Sequence, residues 1–368
     1  MSKLFEETTI KNLALKNRLV RSATWEGMCD DSGRPTEKLI TCYRNLAQGG
    51  VGLIISGYTF VRLEGKQMPG KMGIHTDDFA SDMKSLTDAV HEVGGKVCIQ
   101  LVHAGGQTNS KYAGRQPLAP SAVQVEQFPE VPQEMSAQDI QEVIAAFRDA
   151  ATRAKDSGFD AVQLHGAHGY LINQFLSPLT NRRSDEYGGT IENRCRYHAV
   201  RKAVGHDYPV MVKLNGADFV DGGLTTEDAV YAARALDKAG IDAIEVSGGT
   251  PASGKESPVR TGIKTEEQEV YNRAPGKAIK DAVKCPVMLV GGIRSFDIAE
   301  KLIVDGTADY ISLSRPFIRE PDLPSRWQSG DHSKATCISC NACFKPGLKG
   351  IGIYCVAKEK EEAAVKKL

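Results

Sequence analysis

The sequence lacks an excess of charge of either sign. Lysine plus arginine and aspartate plus glutamate each number 46 in 368 residues, so no positive surplus is available to hold the phosphates of a nucleic acid. The sequence also lacks an apolar run of the roughly 18 residues needed to span a bilayer, and residues 1–10 lack the apolar core of a signal peptide. We therefore expect a cytoplasmic protein without nucleic-acid or membrane partners.

Short apolar runs alternate with longer segments of helical periodicity. The runs are rich in branched aliphatic residues on both faces, which is typical of strands buried in a parallel sheet. Eight strands are predicted at 19–22, 51–56, 97–101, 161–165, 210–214, 243–247, 287–290 and 310–313. Helices are predicted at 76–93, 136–157, 191–204, 226–239 and 296–305.

This alternation predicts an α/β protein built on a (β/α)8 TIM barrel. An open doubly wound sheet is the alternative, but no G-x-G-x-x-G motif follows the first strand. Residues 3–17 are interpreted as an N-terminal β-hairpin cap on the barrel. We predict a barrel over residues 1–330 and a short Cys-rich C-terminal extension over residues 331–368. Residues 111–132 contain four prolines and predict a long loop after the third strand.

The segment Ala-Val-Gln-Leu-His-Gly-Ala-His-Gly-Tyr at 161–170 carries the strongest functional signal. His165, His168 and Tyr170 lie at or just past the end of the fourth strand, and active sites of TIM barrels form at that rim. Two imidazoles that donate hydrogen bonds beside a phenol suit the reduction of a polarised double bond. Buried or capping histidines are one alternative. Metal ligation by H-x-x-H is another, although the helical H-E-x-x-H arrangement is missing.

Nine cysteines fall into two groups. Five are scattered, and we expect them to be reduced and mostly buried. The other four, Cys337, Cys340, Cys343 and Cys355, lie within 19 residues. In a cytosolic chain such a group more often binds a metal than forms disulfides.

Several blocks of sequence, taken in order, resemble the old yellow enzyme family of flavin mononucleotide (FMN) oxidoreductases. They span about residues 3–330, and most lie near a predicted strand end. The blocks are LKNRLV at 15–20, IQLVHAG at 99–105, HGAHGY at 165–170, QFLSP at 174–178, NRRSDEYGG at 181–189, ENR at 192–194, VGGI at 290–293 and SRP at 314–316.

The resemblance implies that FMN lies across the C-terminal mouth of the barrel. Its phosphate is expected beside glycine backbone N–H groups and an arginine fork, at Gly291, Gly292, Ser314 and Arg315. The ring is expected to contact Ser22, Ala23, Thr24, Gly57 or Tyr58, Gln100 and Lys213. A cation at Lys213 would stabilise the anion of the reduced flavin.

The resemblance also implies roles for the residues at the end of the fourth strand. His165 and His168 would hold a carbonyl or nitro oxygen of the substrate above the flavin. After hydride reaches the β-carbon, Tyr170 would give a proton to the α-carbon. Trp25 occupies a position where some relatives carry cysteine or another small residue. We expect it to narrow the pocket and contact the substrate.

The C-terminal cysteines resemble the iron–sulfur segment of the 2,4-dienoyl-CoA reductase and trimethylamine dehydrogenase group. The resemblance implies a 4Fe–4S cluster held by Cys337, Cys340, Cys343 and Cys355, while a structural zinc site and free thiols remain open alternatives. Since the sequence stops at Leu368, the further flavin and nucleotide domains of those relatives are not expected. A cluster would then need an external electron-transfer partner or would be structural.

These patterns predict an FMN-dependent oxidoreductase that uses NAD(P)H to reduce the C=C bond of small α,β-unsaturated carbonyl-type acceptors. One alternative is a flavin/iron–sulfur dehydrogenase acting on an amine. Another is an electron-transfer subunit that passes electrons to a partner protein, and a third is a flavin-free barrel lyase. Homo-oligomer formation remains open.

Overall fold

The computed structural model describes residues 2–195 and 199–366. At its centre is a barrel of eight parallel strands, numbered β1 to β8 in chain order. They are β1 Leu19–Arg21, β2 Leu53–Phe60, β3 Val97–Val102, β4 Ala161–Gly166, β5 Val210–Asn215, β6 Ala243–Ser247, β7 Val287–Val290 and β8 Tyr310–Leu313. Since β8 also pairs with β1, the sheet closes on itself. The predicted (β/α)8 TIM barrel is confirmed, and all eight predicted strands are present.

Helices alternate with the strands and pack on the outside of the barrel. Their starts follow local sequence signals. Ser136 forms a capping box with Asp139, and the Thr225 hydroxyl accepts the N–H of Asp228. The α-helices are Glu37–Gln48, Ala80–His91, Ser110–Ala113, Ala137–Asp156, Leu171–Leu176, Ile191–Arg194, Ala199–Val204, Thr226–Lys238, Arg273–Lys280, Phe296–Val304, Arg315–Arg319, Leu323–Gln328, Phe344–Leu348 and Val356–Val365.

Short elements complete the chain. Residues 196–198, inside the helix predicted at 191–204, lie outside the described residues. The predicted loop at 111–132 begins within a one-turn helix and contains a two-residue strand, Leu118–Ala119, that pairs with Gln133–Glu134. Single-turn 3-10 helices lie at Lys3–Phe5, Leu63–Gly65, Asp77–Phe79, Pro251–Glu256 and Glu266–Gln268. Among the described helices, none is long and apolar enough to cross a membrane.

Strand β2 extends beyond its predicted end at residue 56. Its pairing with β3 shifts register between Ile55 and Tyr58, and a bulge of this kind lets a strand bend and continue. The strand therefore runs to Phe60, where Met72–Gly73 pairs alongside it. The sequence prediction ended this strand at Ser56 and placed Gly57 after it. Gly57 instead lies inside the strand, where a Cβ atom would come within 2.2 Å of Glu26 Oε2.

The N-terminal hairpin closes the bottom of the barrel, as predicted. Strands Thr8–Ile10 and Leu13–Leu15 pair antiparallel. Their buried side chains Ile10, Leu13 and Leu15 form a cluster with the lowest interior layer of the barrel, which includes Val20, Leu53, Ile55, Cys98, Ala161, Met211, Ala243, Met288 and Tyr310. The lower half of the barrel is therefore solid and apolar, and any ligand must enter from the opposite rim.

The C-terminal segment packs on that opposite rim. The Ala335 N–H donates to the carbonyl of Arg294 after β7 at 2.9 Å, and the Ile353 N–H donates to the carbonyl of Glu26 after β1 at 2.7 Å. Residues after 330 thus contact the ends of two barrel strands. A domain boundary at residue 330 stays a prediction.

We expect Ile10→Ala to lower the free energy of unfolding by about 2–4 kcal/mol, because deleting a fully buried aliphatic side chain leaves a cavity. Thr9→Ala, at an exposed position of the same strand, should change stability by less than about 0.5 kcal/mol. Urea unfolding followed by circular dichroism measures both. An equal loss in the two variants would show that the hairpin does not support the barrel core.

Candidate active site

A cavity opens at the C-terminal ends of the strands, on the side opposite the hairpin. About 570 Å³ of space not filled by protein atoms lies in it, including the open mouth toward solvent. Residues from the ends of β1, β5, β6, β7 and β8 line it. They include Ser22, Ala23, His168, Lys213, Ser247, Tyr271, Gly292, Arg294, Ser312, Ser314, Arg315 and Ser339.

A buried polar layer lies between this cavity and the apolar lower barrel. Gln100 Nε2 donates to Gln163 Oε1 at 2.7 Å, and Gln163 Nε2 donates to Glu245 Oε2 at 2.9 Å. Lys213 Nζ lies 3.1 Å from Glu245 Oε2 and donates to Ser22 Oγ at 2.8 Å. The predicted residues Gln100, Lys213 and Ser22 are thereby joined in one network across β1, β3, β4, β5 and β6.

The charges in this layer are paired. Burial alone raises the pKa of Glu245, but the Lys213 ammonium and hydrogen bonds from Ser22 and Gln163 outweigh that effect and lower it. Glu245 is therefore ionised, and the Lys213 ammonium at the cavity has a carboxylate directly against it.

The two predicted histidines and the tyrosine meet in one cluster. His165 lies in β4, and the chain turns sharply after it because His168 and Gly169 both adopt positive φ, 61° and 77°. The turn brings the ring centroids of His165 and His168 to 5.0 Å, and those of His165 and Tyr170 to 4.8 Å. The geometry that the sequence pattern predicted is present.

Both imidazoles are neutral at physiological pH. Burial is the main cause of the lowered pKa of His165, and the charges of His168, Lys213 and Lys71 add to it. Burial, then Lys213, lowers the pKa of His168. His165 Nδ1 accepts the N–H of Ala167 at 3.3 Å, so its Nε2 carries the proton and is a donor. His168 Nε2 lies 2.7 Å from Ser247 Oγ.

Tyr170 is a protonated phenol in this environment. Burial raises its pKa to about 12, and a hydrogen bond to Gln67 partly opposes the shift. Its hydroxyl donates to Gln67 Oε1 at 3.1 Å. The ring also packs edge-on against Tyr58, with centroids 5.1 Å apart.

Three of the four residues predicted to hold a phosphate, Gly292, Ser314 and Arg315, line the cavity. Ser314 Oγ lies 2.7 Å from Thr24 Oγ1. Arg315 is buried, and its Nη1 donates to the carbonyl of Arg260 and to Asn341 Oδ1. Gly291 and Gly292 adopt positive φ and lie against the Tyr271 ring, where a Cβ on either would come within 3.2 Å. The positive φ therefore favours glycine at both positions, whatever else they bind.

Two of the predicted positions are engaged differently from expectation. The Gly57 N–H donates to Tyr43 Oη at 3.0 Å, so this N–H is not free to contact a ring in the cavity. Trp25 packs against Gly347 of the C-terminal segment and donates to the carbonyl of Gly70 at 3.3 Å. Trp25 is not among the residues that line this cavity, and its contact with a substrate stays a prediction.

The four C-terminal cysteines flank the cavity wall. Arg294 Nη1 donates to the carbonyl of Cys337 at 2.7 Å, and Ser339, between the first two cysteines, lines the cavity. Within residues 2–195 and 199–366, no three His, Cys, Asp or Glu side chains converge on a point where they could hold a single metal ion.

Sequence reasoning missed several residues of this site. Glu245 carried a signal, because a carboxylate in the middle of an apolar strand needs a partner. Gln163, two residues before His165, could have been found in the same way. Arg294, Ser247 and Lys71 lie in segments that meet only in three dimensions, and no local pattern marks them.

Comparison with known proteins agrees with this geometry. A family model described as the NADH:flavin oxidoreductase / NADH oxidase family matches residues 3–334. NADPH dehydrogenase of Geobacillus sp. is 37% identical over 352 residues, which cover 94% of this chain and 98% of that protein. NADH oxidase of Thermoanaerobacter brockii is 38% identical over 348 residues, but these are 92% of this chain and 52% of that protein. The chain thus spans about half the length of that relative.

Solved structures show the same fold. The complex of 2-naphthoyl-CoA reductase with 2-naphthoyl-CoA superposes with a TM-score of 0.89 at 29% identity, over 96% of this chain and 56% of that one. The old yellow enzyme homologue of Zymomonas mobilis gives 0.77 at 28% identity, over 92% and 96%. On the match over residues 3–334 and these identities, the chain belongs to the NADH:flavin oxidoreductase / NADH oxidase family.

Proposed function

We propose that this protein is an FMN-dependent oxidoreductase that takes reducing equivalents from NAD(P)H and reduces the C=C bond of α,β-unsaturated carbonyl-type acceptors. The observation that carries the proposal is the cluster of two neutral imidazoles and a protonated phenol beside the cavity. FMN, when bound, supplies a reversible hydride carrier. The residues of the chain supply binding, polarisation and a proton.

The cavity suits a polar ring system that both donates and accepts hydrogen bonds. Ser312 Oγ in its wall and Glu245 Oε1 in the polar layer are buried without a hydrogen-bond partner in the described part of the chain, and buried polar groups are normally satisfied. We propose that Ser22, Ala23, Thr24, Gln100 and Lys213 hold the ring. Gly291, Gly292, Ser314 and Arg315 would hold the phosphate.

We propose that His165 and His168 bind the acceptor oxygen. His165 Nε2 carries a proton and has no hydrogen-bond acceptor among the described residues. A donor aimed at an oxygen that becomes negative lowers the barrier to reduction. His168 would exchange its contact with Ser247 for the same oxygen. Tyr170, protonated at neutral pH, would then give its proton to the α-carbon.

The charges around the cluster favour a carbonyl acceptor over an amine. Histamine dehydrogenase from Rhizobium sp. 4-9 is a structural relative, with a TM-score of 0.84 at 25% identity over 95% of this chain and 51% of that one. In this chain, however, the charges that act on the histidines are the cations Lys213 and Lys71. A cationic amine would be repelled there, whereas a carbonyl oxygen that gains negative charge would be stabilised.

We expect Tyr170→Phe to lower enone turnover by roughly 10²- to 10⁴-fold, the usual contribution of a positioned general acid. Reduction of the bound flavin by NAD(P)H should survive, because that step needs no proton from Tyr170. Stopped-flow absorbance separates the two half-reactions, with Tyr231→Phe, at an exposed position, as the control. Loss of both steps to the same extent, or of neither, would remove Tyr170 from the proton-donating role.

We expect Glu245→Gln to raise the midpoint potential of bound FMN by roughly 30 mV or more, which is ~1.4 kcal/mol for a two-electron couple. Without the carboxylate, the charge of Lys213 is no longer compensated and stabilises the reduced anion more strongly. Spectroelectrochemical titration measures the shift, and Glu227→Gln on the outer surface is the control. An unchanged or lowered potential would contradict a charged Lys213 beside the ring.

We also propose that Cys337, Cys340, Cys343 and Cys355 hold a 4Fe–4S cluster. Burial raises the pKa of Cys343 to about 11, with Cys337 and Cys340 adding to the shift, and Cys355 acts in the same way on Cys337. The four thiols therefore lie near one another. In a cubane each thiolate binds a different iron, so its ligands lie farther apart than those of one zinc ion. In the sequence, three close cysteines followed by one distant cysteine suit such a cubane.

We expect anaerobically purified protein to contain about four iron and four sulfide per chain, as a cubane requires. Cys343→Ser should lose most of both, while Cys42→Ser, outside the segment, should keep them. Metal and sulfide analysis together with the absorbance spectrum measures the cluster content of the wild type and of both variants. Stoichiometric zinc without sulfide, or the absence of any bound metal, would contradict the cluster.

A further inference from the structure

A buried lysine beside the active site has no role in the chemistry above. Lys71 is 4% exposed, yet its ammonium has neither a hydrogen-bond acceptor nor a carboxylate partner among residues 2–195 and 199–366. Lys213, buried to the same degree, has both. An ammonium on a side chain so largely buried is unfavourable without an anion, and because Lys71 Nζ is not among the polar atoms wholly enclosed without a partner, a partner from outside the chain can reach it.

Two aromatic rings surround the ammonium. Lys71 Nζ lies 4.4 Å from the centre of the Tyr58 ring and 5.4 Å from that of Trp25. Such contacts offset part of the lost hydration. Glu26 is the carboxylate that acts on Lys71, but its Oε1 is held by Arg21 at 2.7 Å and by the Tyr43 hydroxyl at 2.8 Å. Among the described residues, Lys71 therefore has no ion pair of its own.

The backbone fixes the position of Lys71. Strand Met72–Gly73, which follows it, pairs with the end of β2. The preceding Gly70 accepts a hydrogen bond from the Trp25 indole, and a Cβ at Gly70 would come within 3.1 Å of the Gly27 backbone. The backbone at Lys71 is consequently fixed by contacts on both sides of the residue.

Lys71 is continuous with the proposed catalytic cluster. The Tyr58 ring that faces Lys71 also packs on Tyr170, and Tyr170 packs on His165. The charge of Lys71 contributes to the neutrality of His165. These contacts form one continuous wall, with the Lys71 cation at one end and the hydrogen-bond donors at the other. Its members are Lys71, Tyr58, Tyr170 and His165.

We propose that Lys71 binds a carboxylate on the acceptor, with Trp25 and Tyr58 as the flanking walls. The identification of that ligand as the acceptor rests on the proposed function. A planar carboxylate on the acceptor supplies the missing partner of the ammonium. The apolar part of the acceptor lies along the faces of the Trp25 and Tyr58 rings. A neutral compound of the same shape gains no such ion pair, so Lys71 sets a preference for anionic acceptors.

The charge state of Lys71 makes this preference dependent on pH. Burial lowers the pKa of Lys71 to about 7, and Glu26 opposes the shift. Among its titratable neighbours, Tyr58 and Tyr170 have raised pKa values and His165 a lowered one, so these three stay neutral around pH 7. As the pH rises above about 7, free protein loses the Lys71 proton, and binding of an anion must restore it.

Benzoate and benzamide have the same shape and differ in charge, so they test the proposal on FMN-loaded protein by isothermal titration calorimetry. We expect Lys71→Met to raise the Kd of benzoate about tenfold or more, the scale of a lost charge-assisted hydrogen bond. The Kd of benzamide should change less than about threefold, within the scatter of a packing change. Lys66→Met is the matched control, because that lysine lies in the same segment and donates to the carbonyl of Asp31.

The pH profile provides a second readout. In the wild type the Kd of benzoate should rise by up to about tenfold per pH unit above the pKa of Lys71, and Lys71→Arg should keep the affinity but lose this slope. Equal weakening of both ligands, or a flat wild-type profile, would overturn the proposal. A change in NADPH affinity alone would do the same, since it would assign Lys71 to the nucleotide. Because calorimetry needs no turnover, benzoate selectivity without enone reduction would leave Lys71 in place and refute only the proposed reaction.

Discussion

Closure of the sheet between β8 and β1 is the constraint on which the rest of this structure depends. Once eight parallel strands form a closed ring, all their C-terminal ends face the same side. The apolar lower interior must then be sealed, and the hairpin side chains Ile10, Leu13 and Leu15 do this. Sealing one end leaves the other rim open, and segments far apart in sequence meet there.

The interior changes from apolar to polar along the barrel axis. A closed barrel excludes water, so each polar side chain in the upper layer needs a partner of its own. The network from Gln100 through Gln163 and Glu245 to Lys213 meets this requirement across four strands. Its consequence is that Lys213 would act on the proposed cofactor as one half of an ion pair. If Lys213 were treated as an isolated cation, its electrostatic effect on the proposed cofactor would be overstated.

Two buried lysines therefore differ in their electrostatic effect. Lys213 is compensated by Glu245, whereas Lys71 packs on two aromatic rings and has no ion pair among the described residues. Burial is the main reason that His165 is neutral, and both lysines add to it, which leaves its Nε2 proton in place as a donor. The same positive environment opposes a cationic substrate. The positive charge at this rim thus has two consequences. It favours the neutral form of His165, and it would disfavour a cationic ligand in the proposed site.

The sequence by itself determined the barrel, its hairpin and the cluster of His165, His168 and Tyr170, because all of these depend on local periodicity and on the fixed place of a strand end. It failed at Gly57, where a bulge extended β2 and the N–H was taken by Tyr43. Only the tertiary structure decided the partner of Lys213, the isolation of Lys71 and the contact of Trp25 with Gly347. These depend on contacts between segments distant in sequence, and whether a buried charge has a neighbour is not encoded in the residues beside it.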